Sequence, residues 1–271
     1  MTQPDGRKSL SDSRCVEGVS MLFYGKTDVG KKRAVNQDNF IVKKYSSDVL
    51  FAVVCDGMGG ASGGNVASML AIEKFTEILD SREKKNPAFF GMSGDDILDL
   101  LSEAATEANR AVFKLASNDP DLAGMGTTLV GCIISGEHSY IVNVGDSRLY
   151  VVEGGDITQI THDHSYVQYL VDLGKLTPEE AKHSKNKNLI TRAVGTEKTV
   201  GPDLFTCDMK PGVYAVLCSD GLTNHVEPEE IRETVSSIGN GQDIQTACES
   251  LINCANSRGG LDNITAVILS V

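Results

Sequence analysis

At 271 residues, with 41% hydrophobic and 23% charged side chains, the chain has the composition of a soluble globular protein able to bury a full core. Its formal net charge of −12 at pH 7 argues against nucleic acid or an anionic membrane as the main partner. No apolar run approaches a membrane span, the first residues lack the apolar centre of a signal peptide, and the seven cysteines include no CxxC pair, so a cytoplasmic protein with reduced thiols and no zinc site is expected.

Residues 1–18 are polar and unpatterned and read as a mobile N-terminal tail ahead of one domain spanning 19–271. Strands are expected at 20–28 and 39–45, joined across Gly30-Lys31-Lys32-Arg33. Within the first, Gly25-Lys26-Thr27 mimics the end of a phosphate-binding P-loop, but Ser20 stands where that motif needs its first glycine. Residues 50–55, LFAVVC, are apolar without interruption, the pattern of a strand buried on both faces. Asp56 ends the run, and Gly57, Gly59, Gly60, Gly63 and Gly64 follow. Those glycines would let the backbone approach a compensating cation closely.

Helices are expected at 64–80 and 95–117, separated by a polar loop at 81–93. The second carries Ile97, Leu101, Ala104, Ala108, Ala111 and Leu115 at helical spacing. Four short strands, 127–135, 138–144, 148–153 and 157–160, then read as one antiparallel meander joined by glycine turns. Residues 161–192 are polar and broken, with short helical pieces at 165–173 and 177–183, and should form a small flap outside the body. Strands at 204–209 and 213–219, helices at 228–237 and 244–256, and a strand at 264–271 complete the chain. This order lacks alternating βαβ units. It predicts an α+β fold, a four-layer αββα sandwich of two mostly antiparallel sheets flanked by helix pairs, with a flap subdomain at about 161–192.

Asp56 and Asp220 follow apolar strands, Asp262 precedes one, and Asp38 opens another. Four acids brought together this way would need bound cations to offset their repulsion. Oxygen ligands alone select Mg²⁺ or Mn²⁺ over Zn²⁺. Taken singly, each Asp is as well explained as a turn cap. Arg33 closes a positive cluster just before Asp38, and its planar guanidinium suits bidentate phosphate recognition; the competing reading is a solvated turn.

The ordered series Arg33…Asn36-Gln37-Asp38-Asn39, Phe51 to Gly60 (FAVVCDGMGG), Met125-Gly126-Thr127-Thr128, Gly145-Asp146-Ser147-Arg148, Ser219-Asp220-Gly221 and Asp262-Asn263-Ile264-Thr265 resembles the metal-dependent protein Ser/Thr phosphatases of the PPM, or type 2C, family, in its bacterial branch. The resemblance runs over nearly the whole chain and implies a binuclear Mn²⁺ or Mg²⁺ centre. By that resemblance Asp56 would bridge the metals, the Gly57 carbonyl would ligate one, Asp220 and Asp262 would complete the ligands, Asp38 would act through bound water, and Arg33 would bind phosphate. The implied reaction is direct attack of a metal-bridging hydroxide on phosphoserine or phosphothreonine.

It also implies phosphorylated proteins as partners, with a bacterial Ser/Thr kinase as a candidate counterpart, and a monomer. Two other readings stay open at this point: a dedicated phosphatase of one stress or sporulation regulator, and a non-catalytic docking relative. Two departures from the family pattern matter. Met58 stands where eukaryotic members carry a His, leaving the proton donor unassigned, with His162 and His164 as weak candidates. Ala123 and Gly124 replace the acid that bacterial members use for a third metal, the nearest carboxylate being Asp121. Asp146 reads as structural or as a support behind the metal ligands, and Lys175, Lys182, Lys185 and Lys187 of the flap are expected to hold the acidic surroundings of a phosphosite.

Overall fold

In the computed structural model, which describes residues 21–89 and 91–271 (61 and 62 by backbone alone), the apolar run becomes the middle of strand β3 (Val49–Met58). Its alternate side chains separate two cores. Val49, Phe51, Val53 and Cys55 pack toward helices, while Leu50, Ala52 and Val54 pack between two sheets. Both faces are buried, so no polar residue interrupts the run.

One sheet orders β2 (Asp38–Lys44), β3, β5 (Leu129–Ser135), β6 (His138–Val144) and β9 (Asp203–Asp208), with the two-residue β4 (Gly126–Thr127) paired to the far end of β3. The other orders β1 (Leu22–Asp28), β11 (Ile264–Ser270), β10 (Tyr214–Cys218), β7 (Arg148–Glu153) and β8 (Asp156–Gln159). All pairings between these strands are antiparallel. Helices α1 (Gly60–Lys85) and α2 (Gly94–Asn118) cover the first sheet through Phe75, Leu79, Leu101 and Ala108. The second sheet is covered through Ile231, Val235, Leu251 and Ile252 of α6 (Pro228–Ser236) and α7 (Ile244–Ser257). Val130, Ile141, Leu217 and Leu269 fill the space between the sheets. The result is the αββα arrangement expected. Short helices α3 (Tyr166–Asp172) and α4 (Pro178–Lys182) lie in the flap segment, and α5 (Asp220–Thr223) is a single turn after β10.

Four local expectations are corrected or extended. First, α1 begins within the glycine run and continues through most of the expected loop to Lys85. Apolar periodicity stops near Asp80, but good helix formers continue, and Arg82, Lys84 and Lys85 suit the negative end of the helix. Second, the glycine run also lets β3 and α1 approach closely, a use the sequence did not announce: a Cβ on Gly57 would lie 2.1 Å from the Gly64 carbonyl oxygen. Third, Asp56 lies inside β3, because Gly57 and Met58 stay paired, to Thr127 and Gly126. Fourth, the meander is two hairpins, β5–β6 and β7–β8, in opposite sheets. Gly145, at φ 114°, turns the chain across; a Cβ there would sit 2.6 Å from Thr128. The expected mobile tail at 1–18 lies outside the described residues.

Candidate metal centre

Asp38 of β2 and Asp56 of β3 are direct cross-strand partners. Phe40 and Val42 of β2, like Leu50, Ala52 and Val54 of β3, face the space between the sheets, so the two carboxylates continue that face to its edge. The opposing sheet supplies hydroxyls at the same level. Ser219 Oγ and Thr265 Oγ1 each donate to Asp38 Oδ2 at 2.7 Å. Asp38 Oδ1, equally buried, has no hydrogen-bond partner among the described residues. The Asp56 backbone is fixed on both sides: its N–H donates to Thr128 Oγ1 at 2.9 Å, and its carbonyl accepts from Thr127 Oγ1 at 2.8 Å.

Asp220 opens α5, where its Oδ2 accepts from Asn224 Nδ2 at 3.0 Å. Gly221 follows because the Asp262–Asn263 turn passes over it, a Cβ there falling 1.9 Å from the Asn263 carbonyl oxygen. Asn263 staples the Arg33 loop to this turn. Its Nδ2 donates to the carbonyls of Val29 and Val35, and its Oδ1 accepts from Gln37 N–H at 2.8 Å. The loop carries Arg33 to Asp262, with Nη2 to Oδ2 at 2.7 Å.

Asp146 joins the cluster from the β6–β7 crossover and is buried at 7% exposure. His164, at the foot of the flap, holds that crossover twice. Its backbone N–H donates to the Gly145 carbonyl at 2.9 Å, and its Nδ1 accepts from Gly145 N–H at 3.0 Å. A cleft of about 470 Å³ opens between flap and body, lined by Asp146 and Asp220 and, from the flap, by Lys182, His183 and Lys187. Lys182 crosses it to Glu227 at 2.7 Å, and Lys187 to Asn224 Oδ1 at 2.8 Å. Two of the four flap lysines are thus engaged by the protein's own groups, which limits the expectation that they are available to an acidic substrate.

The electrostatics are those of crowded anions. Burial pushes the Asp38 carboxyl up to about 7, against its bonds from Thr265 and Ser219 and with the help of Asp220 and Asp262. Burial, then Asp38, Asp220, Asp146 and Asp262, holds Asp56 well above the ordinary carboxylate range. Burial and then Asp262 raise Asp220, and burial and then Asp220 raise Asp146. Among the described residues no three acidic, His or Cys groups form a ready-made ligand cage. The acids are held singly instead, Asp262 by Arg33, Asp220 by Asn224, and Asp38 by two hydroxyls. The donor set nevertheless fits hard divalent cations: it is all oxygen, its carboxyls raise one another, and Asp38 Oδ1 is a buried acceptor without a partner among the described residues.

The structure therefore brings together Asp38, Asp56, Asp220 and Asp262, with Gly57 beside Asp56 and Arg33 on Asp262. Asp146, which the sequence offers as structural or as a support behind the ligands, lies beside them, as the second of these; its signal is the Gly145-Asp146 pair ending the apolar strand β6. Ser219, Thr265 and Asn263 were inside quoted motifs, but nothing local revealed their bonds across the sheets. Asp121 is exposed after α2 and is not among the main causes that raise Asp38, Asp56, Asp146 and Asp220. His162 pairs with Asp172 at 2.9 Å, and His164 bonds Gly145 and Asp203, so neither ring bonds an acid of the cluster.

Comparison with known proteins gives a consistent result. The family model described as Protein phosphatase 2C matches residues 28–259. The Serine/threonine phosphatase stp of Listeria monocytogenes is 35% identical over 244 residues, covering 90% of this chain and 93% of that protein. The crystal structure of the Mycobacterium tuberculosis serine/threonine phosphatase PstP/Ppp superposes with a TM-score of 0.80 at 34% identity, over 93% of this chain and 99% of that one. The catalytic domain of PstP in complex with two manganese ions gives a TM-score of 0.76 at 35% identity, over 92% and 97% of the two chains.

Proposed function

Because this chain belongs to the protein phosphatase 2C family, and is a metal-dependent Ser/Thr protein phosphatase using two Mn²⁺ or Mg²⁺ ions, we propose that it removes phosphate from phosphoserine and phosphothreonine at the edge where Asp38 faces Asp56. The observation that carries this placement is a set of mutually raised carboxyls beside the arginine suited to phosphate. Asp56, Asp220 and Asp262, with the Gly57 carbonyl, would hold the cations directly, and Asp38 through water. When bound, the pair supplies positive charge facing the phosphoryl oxygens and acidifies a water toward neutrality.

The chain's own groups do the rest. Asp38 keeps Oδ2 on two hydroxyls and leaves Oδ1 as the acceptor toward which a water proton can point. Arg33 presents a forked, permanently charged donor to the phosphate oxygens. No thiolate nucleophile is required. Cys55, next to Asp56, is fully buried, and that burial pushes its thiol further up. Phosphoproteins are the substrates; a Ser/Thr kinase acting on the same proteins, a monomeric state and a cytoplasmic site of action complete the reading. Among the described residues no helix is long and apolar enough to cross a membrane. All four acids and Arg33 are present, which favours an enzyme over a docking relative.

The test is phosphate release from phosphoserine and phosphothreonine peptides by wild type, Asp56→Asn and Asp220→Asn. Wild type should turn over, and each variant should lose more than about a hundredfold while keeping its circular dichroism. Folded variants with near wild-type rates would remove the cluster from the reaction.

A further inference from the structure

Arg33 and Asp262 are paired at the point where a cation and a phosphate would meet. Arg33 Nη2 donates to Asp262 Oδ2 at 2.7 Å, and Asp262 Oδ1 accepts from Asn263 N–H at 2.8 Å, so both carboxylate oxygens are engaged. The backbone around Arg33 has little freedom. Lys31 N–H donates to the Gly260 carbonyl at 2.8 Å, and Asn263 Nδ2 holds the carbonyls of Val29 and Val35 at 3.0 and 3.1 Å. The side chain itself is 53% exposed, and Asp262 is its one hydrogen-bond partner among the described residues. An exposed guanidinium thus stands on a loop held by its backbone bonds. A divalent cation at Asp262 Oδ2 and a guanidinium at that same oxygen repel each other at close range.

We infer that Arg33 is an exchangeable internal counter-ion: it occupies Asp262 until a divalent cation takes its place, and the released guanidinium then serves as the phosphate ligand. Cation loading therefore precedes phosphate binding and enables it. The inference rests on the assignment of Asp262 to the cations and Arg33 to phosphate. It adds a competition between the two that a purely phosphate-binding arginine would not show. If Arg33 instead oriented Asp262 for the metal, removing it would weaken cation binding, the opposite sign.

Isothermal titration of Mn²⁺ into chelator-stripped protein, without substrate, reads that sign directly. Arg33→Met keeps the aliphatic stem and removes the charge. Lys32→Met removes a like charge from the neighbouring loop position. Arg33→Met should bind Mn²⁺ about two- to fivefold tighter than wild type, the range an exposed ion pair carries, while Lys32→Met stays close to wild type. Arg33→Lys, which restores a cation, should return the affinity to about the wild-type value. An Arg33→Met affinity no tighter than that of Lys32→Met, or a tightening that Arg33→Lys fails to reverse, would overturn the exchange. A folded wild type that takes up no Mn²⁺ would overturn the metal-site assignment itself.

Discussion

Asp38 and Asp56 face each other across β2 and β3, on the face that packs between the two sheets. Like charges directly opposed on a sheet weaken it, and these two stand in surroundings that raise both carboxyls. The fold thus places two acids opposite each other at the end of the apolar run of β3. A bound cation removes that penalty, so the arrangement couples cation binding to stability.

That coupling has a pH signature. Asp38 is raised from the ordinary 3.8 to about 7 by burial. A carboxyl raised in the folded state binds its proton more tightly than in the unfolded chain, so stability falls as pH rises through the window between those two values. Chelator-treated wild type should therefore lose melting temperature relative to Asp38→Asn between about pH 4 and pH 7, with the difference levelling off above the window. A difference that stays flat across the range would contradict the burial argument for Asp38.

For Arg33→Ala, phosphopeptide KM should rise more than kcat falls, because the guanidinium meets phosphate oxygens already present in the bound substrate. A charge-assisted hydrogen bond contributes about 1.5–3 kcal/mol, so kcat/KM should drop about ten- to hundredfold. Steady-state kinetics at saturating Mn²⁺ check this; an unchanged kcat/KM would take Arg33 out of phosphate recognition.

Gly57→Ala should destabilise the protein although Gly57 has no positive φ. The added Cβ meets the Gly64 carbonyl oxygen at 2.1 Å, so β3 and α1 must separate. Urea unfolding should show a loss of about 1–3 kcal/mol, the usual cost of overpacking. A wild-type midpoint would mean that the strand–helix approach is looser than the structure has it.

Much of this architecture was legible in the sequence, because each layer leaves its own pattern. The uninterrupted run at 50–55 announced a strand with two apolar faces, and the spacing of Ile97, Leu101, Ala104 and Ala108 announced a helix on one of them. What was not legible depended on contacts between distant segments. The crossover at Gly145 looks like a hairpin turn until Thr128 is placed against it, and the continuation of β3 past Asp56 depends on Gly126 and Thr127. The same holds at the candidate site. Its acids could be picked out because they end apolar strands. The part Asp146 plays could not be chosen between framework and ligand support, because its nearness to Asp220 is a long-range contact, and the Arg33–Asp262 pair joins residues 229 positions apart.

Whether the acid cluster works only through cations it binds is decided by p-nitrophenyl phosphate hydrolysis with chelator-stripped protein before and after Mn²⁺ or Mg²⁺ is restored. No turnover is expected in the stripped protein and recovery with either ion in wild type, with no recovery in Asp56→Asn. Sustained hydrolysis by the stripped, folded protein would contradict that dependence.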